Sequence, residues 1–341
     1  MVENDKDAKR EHKIFIKTLQ KEYTDMEVCG AHELKLPKSN STGSLTLDIN
    51  LHIPCYDGAI VEIISNEGAG KTTLALSIMA EGAKRGKQLL YIDQERALQR
   101  TLVDSFPELR EPGVLEIVSS ETGEGALGIA EAWALQYPGS ITVVDSVDAL
   151  IPSQVEQKAL GETDVGSLPM LMSRGCRKLS QAVGKSGSVI IFINQWRTAI
   201  GTYGDPNKAS GGKALPFYAR QRIELLNITS KRRIMDDDGV QIGHIVKFKV
   251  LKNKVAPPFV SGEFPLIYSK GIDIYTELAT LAGDFGIIEM DKKYYLIPND
   301  KGEIKKRPKA TVVNMLRADP EFYQSTLDDL KELYPETFSS E

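Results

Sequence analysis

The chain reads Val61-Glu62-Ile63-Ile64-Ser65-Asn66-Glu67-Gly68-Ala69-Gly70-Lys71-Thr72-Thr73 where an apolar segment runs into a loop of small residues. A helical pattern from Leu74 to Ala83 leaves this loop. Inward-pointing backbone N–H groups and a helix N-terminus together favour bound phosphate. The usual motif begins with Gly and this chain has Ser65, so a chance glycine-rich turn is the alternative. The spacing predicts a nucleotide site, with Lys71 on the outer phosphates and Thr72 on Mg²⁺.

Composition sets the broad class of protein. The 341 residues, 41% hydrophobic and 26% charged, suffice for one large α/β domain with one or two small ones. A charged N-terminus and the lack of long apolar runs predict a cytoplasmic protein with no membrane partner. Three isolated cysteines predict neither a disulfide framework nor structural zinc. The net charge of −5 argues against a surface that is basic throughout and leaves local basic grooves open.

Hydrophobic patterns divide the chain into three parts. Phe15, Leu19 and Tyr23 recur every four residues, which predicts a thin amphipathic helix in residues 1–25. This helix either packs on its own domain or docks on a neighbouring subunit. Further strands are expected at 59–64, 88–92, 115–118, 141–144, 189–193, 221–226 and 244–251. Their continuous apolar runs indicate a largely parallel sheet covered by helices on both faces.

The remaining patterns describe an edge turn and a small lobe. Residues 232–239 are typical of a turn between antiparallel edge strands. After Gly271, helices near 274–281, 312–316 and 327–333 and a strand at 294–297 predict a small α+β domain of about 70 residues. The basic run at 305–309 either neutralises phosphates or forms an ordinary exposed turn.

Polar residues follow three of the predicted strands. Asp145 ends one strand, where an acid can hold Mg²⁺ through water. Glu95 follows a second strand and can orient a water molecule for attack on the γ-phosphate. Gln195 follows a third and can report whether that phosphate is present. Solvated strand ends are the alternative interpretation of each.

Two loops could contact nucleic acid. Residues 157–169 and 200–213 combine Gly, Lys and small polar residues with Ile200 and Tyr203. Loops of this composition can contact the backbone of single-stranded DNA and place apolar side chains between bases. The alternative is a pair of mobile surface loops.

Several segments together resemble the bacterial RecA recombinases, including phage-encoded members, from about residue 10 to 335. They are Ser41-Thr42-Gly43-Ser44-Leu45, the phosphate loop 65–73, Tyr91-Ile92-Asp93-Gln94-Glu95, Val143-Val144-Asp145-Ser146-Val147, Ile191-Phe192-Ile193-Asn194-Gln195, Gly211-Gly212, Ala214-Leu215, Phe217-Tyr218-Ala219 and Lys252-Asn253-Lys254. The resemblance implies a RecA-like P-loop ATPase core, a mostly parallel twisted α/β sheet, at 41–270. It also implies an N-terminal oligomerisation helix and linker at 1–40 and an α+β DNA-gathering domain at 271–341.

The resemblance implies an activity as well. A helical filament of this chain on single-stranded DNA would pair it with double-stranded DNA and exchange strands, in recombination, DNA repair and the SOS response. ATP and Mg²⁺ would be the cofactors, with DNA-stimulated hydrolysis, and single-strand-binding or mediator proteins would be further partners. A hexameric RecA-fold motor or helicase, and an ATP-binding DNA filament acting as a regulatory scaffold, are the alternatives.

Residue roles follow from the same resemblance. The catalytic set is Glu95, Lys71 and Gln195, and Mg²⁺ would be held by Thr72 and Asp145. The nucleotide would be contacted by the phosphate loop and one acid, namely Ser65, Asn66, Glu67, Gly68, Ala69, Gly70, Lys71, Thr72, Thr73 and Asp145. Lys252 and Lys254 would reach it across the subunit interface, and Tyr268 would be a neighbour's contact to it. DNA contacts are Val165, Gly166, Arg174, Arg177, Ile200, Tyr203, Lys208, Ser210, Gly211, Gly212 and Lys213, and Phe217 lies at the subunit interface.

The chain departs from the family pattern at four positions. Ser65 replaces the first Gly of the phosphate loop, and Leu102 replaces a Tyr that stacks on adenine. Met170 and Pro216 stand where an Arg and a Lys are usual. We therefore expect looser base selectivity and altered DNA contacts.

Overall fold

The computed structural model describes residues 2–24, 28–156, 166–198, 207–226, 232–236, 238–299 and 301–338. The predicted DNA contacts Val165, Ile200 and Tyr203 lie outside these residues. The chain forms two compact units, residues 1–36 and 37–341. Across the part that is described, no helix is both long and apolar enough to span a membrane.

The first unit consists of helix α1 (Val2–Glu22) and a short 3₁₀ helix (Ala31–Glu33). The predicted N-terminal helix is therefore present. Phe15 on this helix and Tyr23, which follows its last residue, are 58% and 53% exposed. Exposed side chains of this size leave the helix with apolar surface to bury elsewhere.

The second unit is built on a large sheet. Its strands are β1 (Ile60–Ser65), β2 (Leu89–Asp93), β3 (Leu115–Val118), β4 (Ile141–Asp145), β5 (Val189–Thr198), β6 (Asn207–Ala209), β7 (Gln221–Leu225), β8 (Arg233–Met235), β9 (Gln241–Asn253), β10 (Ser261–Ile267) and β11 (Gly271–Ile272). The main strand order is β11-β10-β9-β7-β1-β5-β4-β2-β3. Strands β3, β2, β4, β5, β1 and β7 pair in parallel, whereas β9, β10 and β11 pair antiparallel.

Helices cover the sheet and form the small lobe. They are α2 (Leu45–Leu51), α3 (Lys71–Lys84), α4 (Arg100–Val103), α5 (Gly123–Gln136), α6 (Ser153–Glu156), α7 (Ser167–Ser186), α8 (Ala214–Tyr218), α9 (Ile274–Asp284), α10 (Lys309–Ala318), α11 (Pro320–Leu333) and α12 (Pro335–Phe338). Leu74 of α3 and Leu179 of α7 belong to two separate buried clusters of the sheet. Alternate strand residues supply these clusters, which is why the strands are apolar throughout.

The small lobe has its own apolar cluster. Helices α9, α10 and α11 surround the antiparallel strands β12 (Met290–Asp291), β13 (Tyr294–Pro298) and β14 (Ile304–Pro308). Leu45 of α2 joins this cluster. Residues 37–341 form one compact unit, so a domain boundary at residue 270 stays a prediction.

One local interpretation of the sequence was wrong, and another needs narrower bounds. The basic run at 305–309 is not a turn, because residues up to Pro308 pair with β13 as a strand. Residues 233–235 form β8, which pairs antiparallel with β9, so the predicted turn between antiparallel edge strands is present but shorter than residues 232–239. Charged side chains on a strand that is open to water remove the apolar alternation by which strands are recognised.

Candidate nucleotide site

The phosphate loop joins β1 to α3 at the carboxyl edge of the sheet. Gly68 and Gly70 adopt left-handed conformations, with φ of +73° and +98°, which explains why glycine is needed there. Gly70 also precedes the first turn of α3, and Leu74 N–H donates to its carbonyl at 2.9 Å. The turn therefore brings the N-terminus of α3 to the edge where β4 and β5 also end.

Lys71 is buried and held by the loop itself. Its Nζ donates to Ser65 Oγ at 3.0 Å and to the Asn66 carbonyl at 2.9 Å. Burial lowers the pKa of Lys71, and the carboxylates of Asp145 and Glu95 oppose this change. Ser65, where glycine is usual, thus supplies an acceptor for the ammonium group.

Thr72 and Asp145, which the sequence assigns to Mg²⁺, contact each other. Thr72 Oγ1 donates to Asp145 Oδ2 at 3.2 Å, and the Tyr91 hydroxyl donates to the same oxygen. Burial raises the pKa of Asp145 to about 6, while the hydrogen bond from Tyr91 lowers it. Tyr91 was missing from the predicted site, although strand alternation places it on the same face as Asp93.

The oxygen atoms of Thr72 and Asp145 fit Mg²⁺, which prefers oxygen ligands. No group of three or more acidic, His or Cys side chains among the described residues could hold a metal ion. Mg²⁺ commonly binds through one or two protein oxygens together with phosphates and water. The site therefore suits a magnesium ion that arrives with a nucleotide.

Glu95 and Gln195 also lie together. Gln195 Nε2 reaches Glu95 Oε1 at 3.5 Å, and the hydroxyl of Ser146 donates to the same oxygen. Asp93, the other acid of this strand end, instead accepts from the backbone of Ala97 and Leu98. Glu95 is therefore the carboxylate of this segment that faces the site.

A cavity of about 340 Å³ opens beside the phosphate loop, with Thr73, Leu102 and Tyr268 in its wall. Tyr268, predicted as a neighbour's contact, thus lies next to the phosphate loop of its own chain. Its hydroxyl accepts from Gln241 Nε2 at 2.7 Å. Apolar walls with a few polar groups suit a nucleobase.

The predicted interface residues form another group. Lys252 Nζ donates to the carbonyl groups of Pro216 and Phe217, at 2.9 and 2.7 Å. Phe217 is 75% exposed, and Lys254 is exposed as well. Burial lowers the pKa of Lys252, and the charge of Lys254 adds to this shift.

The predicted DNA contacts differ in exposure. Arg174, Arg177, Lys208 and Lys213 are exposed, and Gly166 precedes α7. Ser210 is buried, and its hydroxyl donates to Asp148 Oδ1 at 2.5 Å. A Cβ atom on Gly211 would lie 2.9 Å from Met172 and Val147, so this glycine has a packing role. Gly212, with φ of +77°, follows it in the same turn.

Comparisons with known proteins agree with this arrangement. The family model of the RecA N-terminal domain matches residues 11–273. Protein RecA of Chlorobium limicola is 39% identical over 303 residues, which cover 87% of this chain and 83% of the relative. Protein RecA of Oceanobacillus iheyensis is 36% identical over 303 residues, covering 86% and 84%.

A solved structure shows the same fold. The crystal structure of the RadB recombinase superposes with a TM-score of 0.50 at 19% identity, covering 68% of this chain and 98% of that one. These matches do not favour a hexameric motor or a regulatory scaffold. With the family model covering most of its length, the chain belongs to the RecA family of recombinases.

Proposed function

We propose that this chain is a DNA-dependent ATPase that polymerises on single-stranded DNA, pairs it with double-stranded DNA and exchanges strands. The contact between Gln195 and Glu95 carries the proposal. It joins a carboxylate at the phosphate site to β5, the strand that continues towards the predicted DNA loop. Single-strand-binding or mediator proteins and a bacterial or phage-infected cytoplasm belong to the same proposal.

The phosphate loop and Lys71 bind ATP. Lys71 exchanges its contacts with Ser65 and Asn66 for oxygen atoms of the outer phosphates, and its burial strengthens that attraction. Thr72 and Asp145 would hold Mg²⁺. When bound, Mg²⁺ neutralises charge on the phosphates. The cavity beside Thr73 takes the base, with Tyr268 of the same chain against it.

Glu95 acts as the general base. The oxygen of a water molecule attacks the γ-phosphorus, the bond to the β–γ bridging oxygen breaks, and the water proton passes to Glu95. ADP and inorganic phosphate leave. Gln195 donates to a γ-phosphate oxygen while that phosphate is present and returns to Glu95 after its loss, which couples hydrolysis to β5.

Polymerisation uses two exposed surfaces. The apolar stripe of α1 supplies one contact between subunits, and Phe217 with Lys252 and Lys254 supplies the other. The lysines approach the phosphates of a neighbouring subunit, so bound ATP stabilises the assembled form. Because ATP lies at the interface between two subunits, its hydrolysis weakens the assembled form and so releases DNA.

The test uses the purified full chain with a single-stranded oligonucleotide. We expect wild-type hydrolysis to rise on adding DNA, Lys71→Ala to lose ATP-dependent DNA binding, and Glu95→Gln to bind DNA but lose hydrolysis. Glu332→Gln, which removes an exposed carboxylate from α11, is the charge-matched control. Equal DNA binding with ATP, ADP or no nucleotide would overturn the proposal. Normal hydrolysis by Glu95→Gln would overturn the assignment of the base.

A further inference from the structure

Asp148 ties three parts of the site together. It lies in the 3₁₀ turn Val147–Ala149, three positions after Asp145. Its Oδ1 accepts from Arg197 Nε at 2.6 Å and from Ser210 Oγ at 2.5 Å, and Nη2 of Arg197 contacts the same oxygen. One carboxylate oxygen therefore holds the end of β5 and the residue that follows β6.

The two members of this ion pair differ in exposure. The side chain of Arg197 is 71% exposed, whereas that of Asp148 is 12% exposed. Asp148 Oδ2 is buried and has no hydrogen-bond partner within the described part of the chain. Arg197 and Ser210 therefore compensate the largely buried negative charge of Asp148. The guanidinium of Arg197 is exposed and can contact an incoming ligand.

The charge of Asp148 also reaches the nucleotide site, where it adds the weakest contribution of the four carboxylates that oppose the lowering of the Lys71 pKa by burial. The charge of Asp148 therefore interacts both with Lys71, which receives ATP, and with Arg197 at the base of the predicted DNA loop. Neither Asp148 nor Arg197 belongs to the predicted site residues.

We propose that Asp148 withholds Arg197 from the DNA backbone, so that this ion pair sets the affinity for single-stranded DNA. The inference rests on the proposed function. A guanidinium has five N–H donors, and those not used by Asp148 can reach a phosphate. In the pair, however, the positive charge of Arg197 is neutralised. When Arg197 moves onto a phosphate, the largely buried carboxylate of Asp148 keeps the hydrogen bond from Ser210 but loses its ion pair. The free-energy cost of losing that ion pair weakens the binding of DNA.

A double-mutant cycle tests this inference. Asp148→Asn keeps the size of the side chain and the acceptor for Ser210 but removes the charge. We expect it to bind a labelled oligothymidylate about tenfold more tightly than wild type, with or without nucleotide. Because one more cation neutralises the strand, the slope of log K against log salt should steepen by about 0.7.

Arg197→Gln is the second arm of the cycle. With its charge already neutralised, Arg197 should contribute little in wild type, so Arg197→Gln alone changes affinity less than about twofold. The double variant should bind as Arg197→Gln does. A gain from Asp148→Asn that persists undiminished in the Arg197→Gln background is a general charge effect and overturns the inference, as does an Asp148→Asn variant with wild-type affinity.

Arg197→Lys keeps the test decisive if Asp148→Asn does not fold. An ammonium group keeps the charge but cannot make the paired Nε and Nη2 contact, so the cation is released and binding tightens. Affinity equal to that of Arg197→Gln would overturn the inference. The proposed function fails separately, if the wild type shows no ATP-dependent binding of the oligonucleotide.

Discussion

The hydroxyl of Ser44 donates a 2.6 Å hydrogen bond to Glu277 Oε1, which joins the segment before α2 to helix α9 of the small lobe. Thr46 N–H donates to the same oxygen at 3.1 Å. Asp48 of α2 accepts from Thr42 N–H at 2.8 Å. Burial raises the pKa of Glu277 and that of Asp48 to about 7 each. The contact between the core and the small lobe is therefore sensitive to pH near neutrality.

Glu277→Gln should flatten the pH dependence of stability. The pKa of Glu277 is raised from 4.5 to about 7 in the folded chain, so its stabilising contribution is complete below pH 4.5 and is lost as pH rises through 7. Glutamine keeps the acceptor for Ser44 and carries no charge. Between pH 5 and 8 the free energy of unfolding of the wild type should fall by about 2 to 3 kcal/mol more than that of the variant. Urea unfolding of both proteins measures this difference, and parallel pH curves would contradict it.

Tyr91→Phe should move the acidic limb of ATP hydrolysis to higher pH. The Tyr91 hydroxyl favours ionised Asp145, whose pKa burial raises to about 6. Loss of that donor raises the pKa of Asp145 further, so Mg²⁺ is held less well in mildly acidic solution. Hydrolysis titrated with Mg²⁺ at pH 6.5 and pH 8 checks this, because the variant should need more Mg²⁺ only at the lower pH. An equal need at both values would contradict the role of Tyr91.

Leu102→Tyr should improve ATP binding and selectivity for the base. Leu102 lines the cavity that also contains Thr73 and Tyr268. An aromatic ring there can stack on adenine, which is worth about 1 kcal/mol or about fivefold in affinity. Competition between ATP and CTP measures the change, with Leu102→Met as a control of similar volume. Unchanged discrimination in the tyrosine variant would place the base elsewhere.

The sequence predicted the centre of the sheet well, because each central strand is buried on both faces and reads as a continuous apolar run. Predicted bounds for β1, β2, β3 and β4 agree with the structure within one residue. Strand β5 runs on to Thr198, beyond the predicted end at 193, since its polar end pairs with β6 outside the apolar core. Local patterns do not record such a pairing.

The candidate site also contains residues that the sequence predicted and contacts that it did not. Lys71 and Thr72 were expected from the spacing of the phosphate loop, and Asp145, Glu95 and Gln195 from their positions at strand ends. The structure brings these residues to one edge of the sheet, and their roles stay predictions. Contacts between distant segments were missed, such as those of Ser44 with Glu277 and of Asp148 with Arg197. Hydrogen bonds of this kind depend on tertiary packing, and no spacing or periodicity in a single sequence marks them.

Phe15→Ser should weaken polymerisation without lowering the stability of residues 37–341. Phe15 is 58% exposed on α1, so its replacement removes no buried packing from the chain itself. Burial of this ring against a neighbouring subunit would contribute about 2 kcal/mol per interface, and its loss would raise the critical concentration for filament growth about thirtyfold. Light scattering on single-stranded DNA with ATP measures that concentration.

Lys13→Ser is the matched control for Phe15→Ser, because Lys13 is an exposed residue of the same helix outside the apolar stripe. Thermal unfolding distinguishes the two interpretations of the helix. If α1 packs on its own domain in solution, Phe15→Ser lowers the melting temperature and leaves polymerisation intact. If it docks on a neighbouring subunit, polymerisation falls while the melting temperature of the monomer stays that of the Lys13→Ser control.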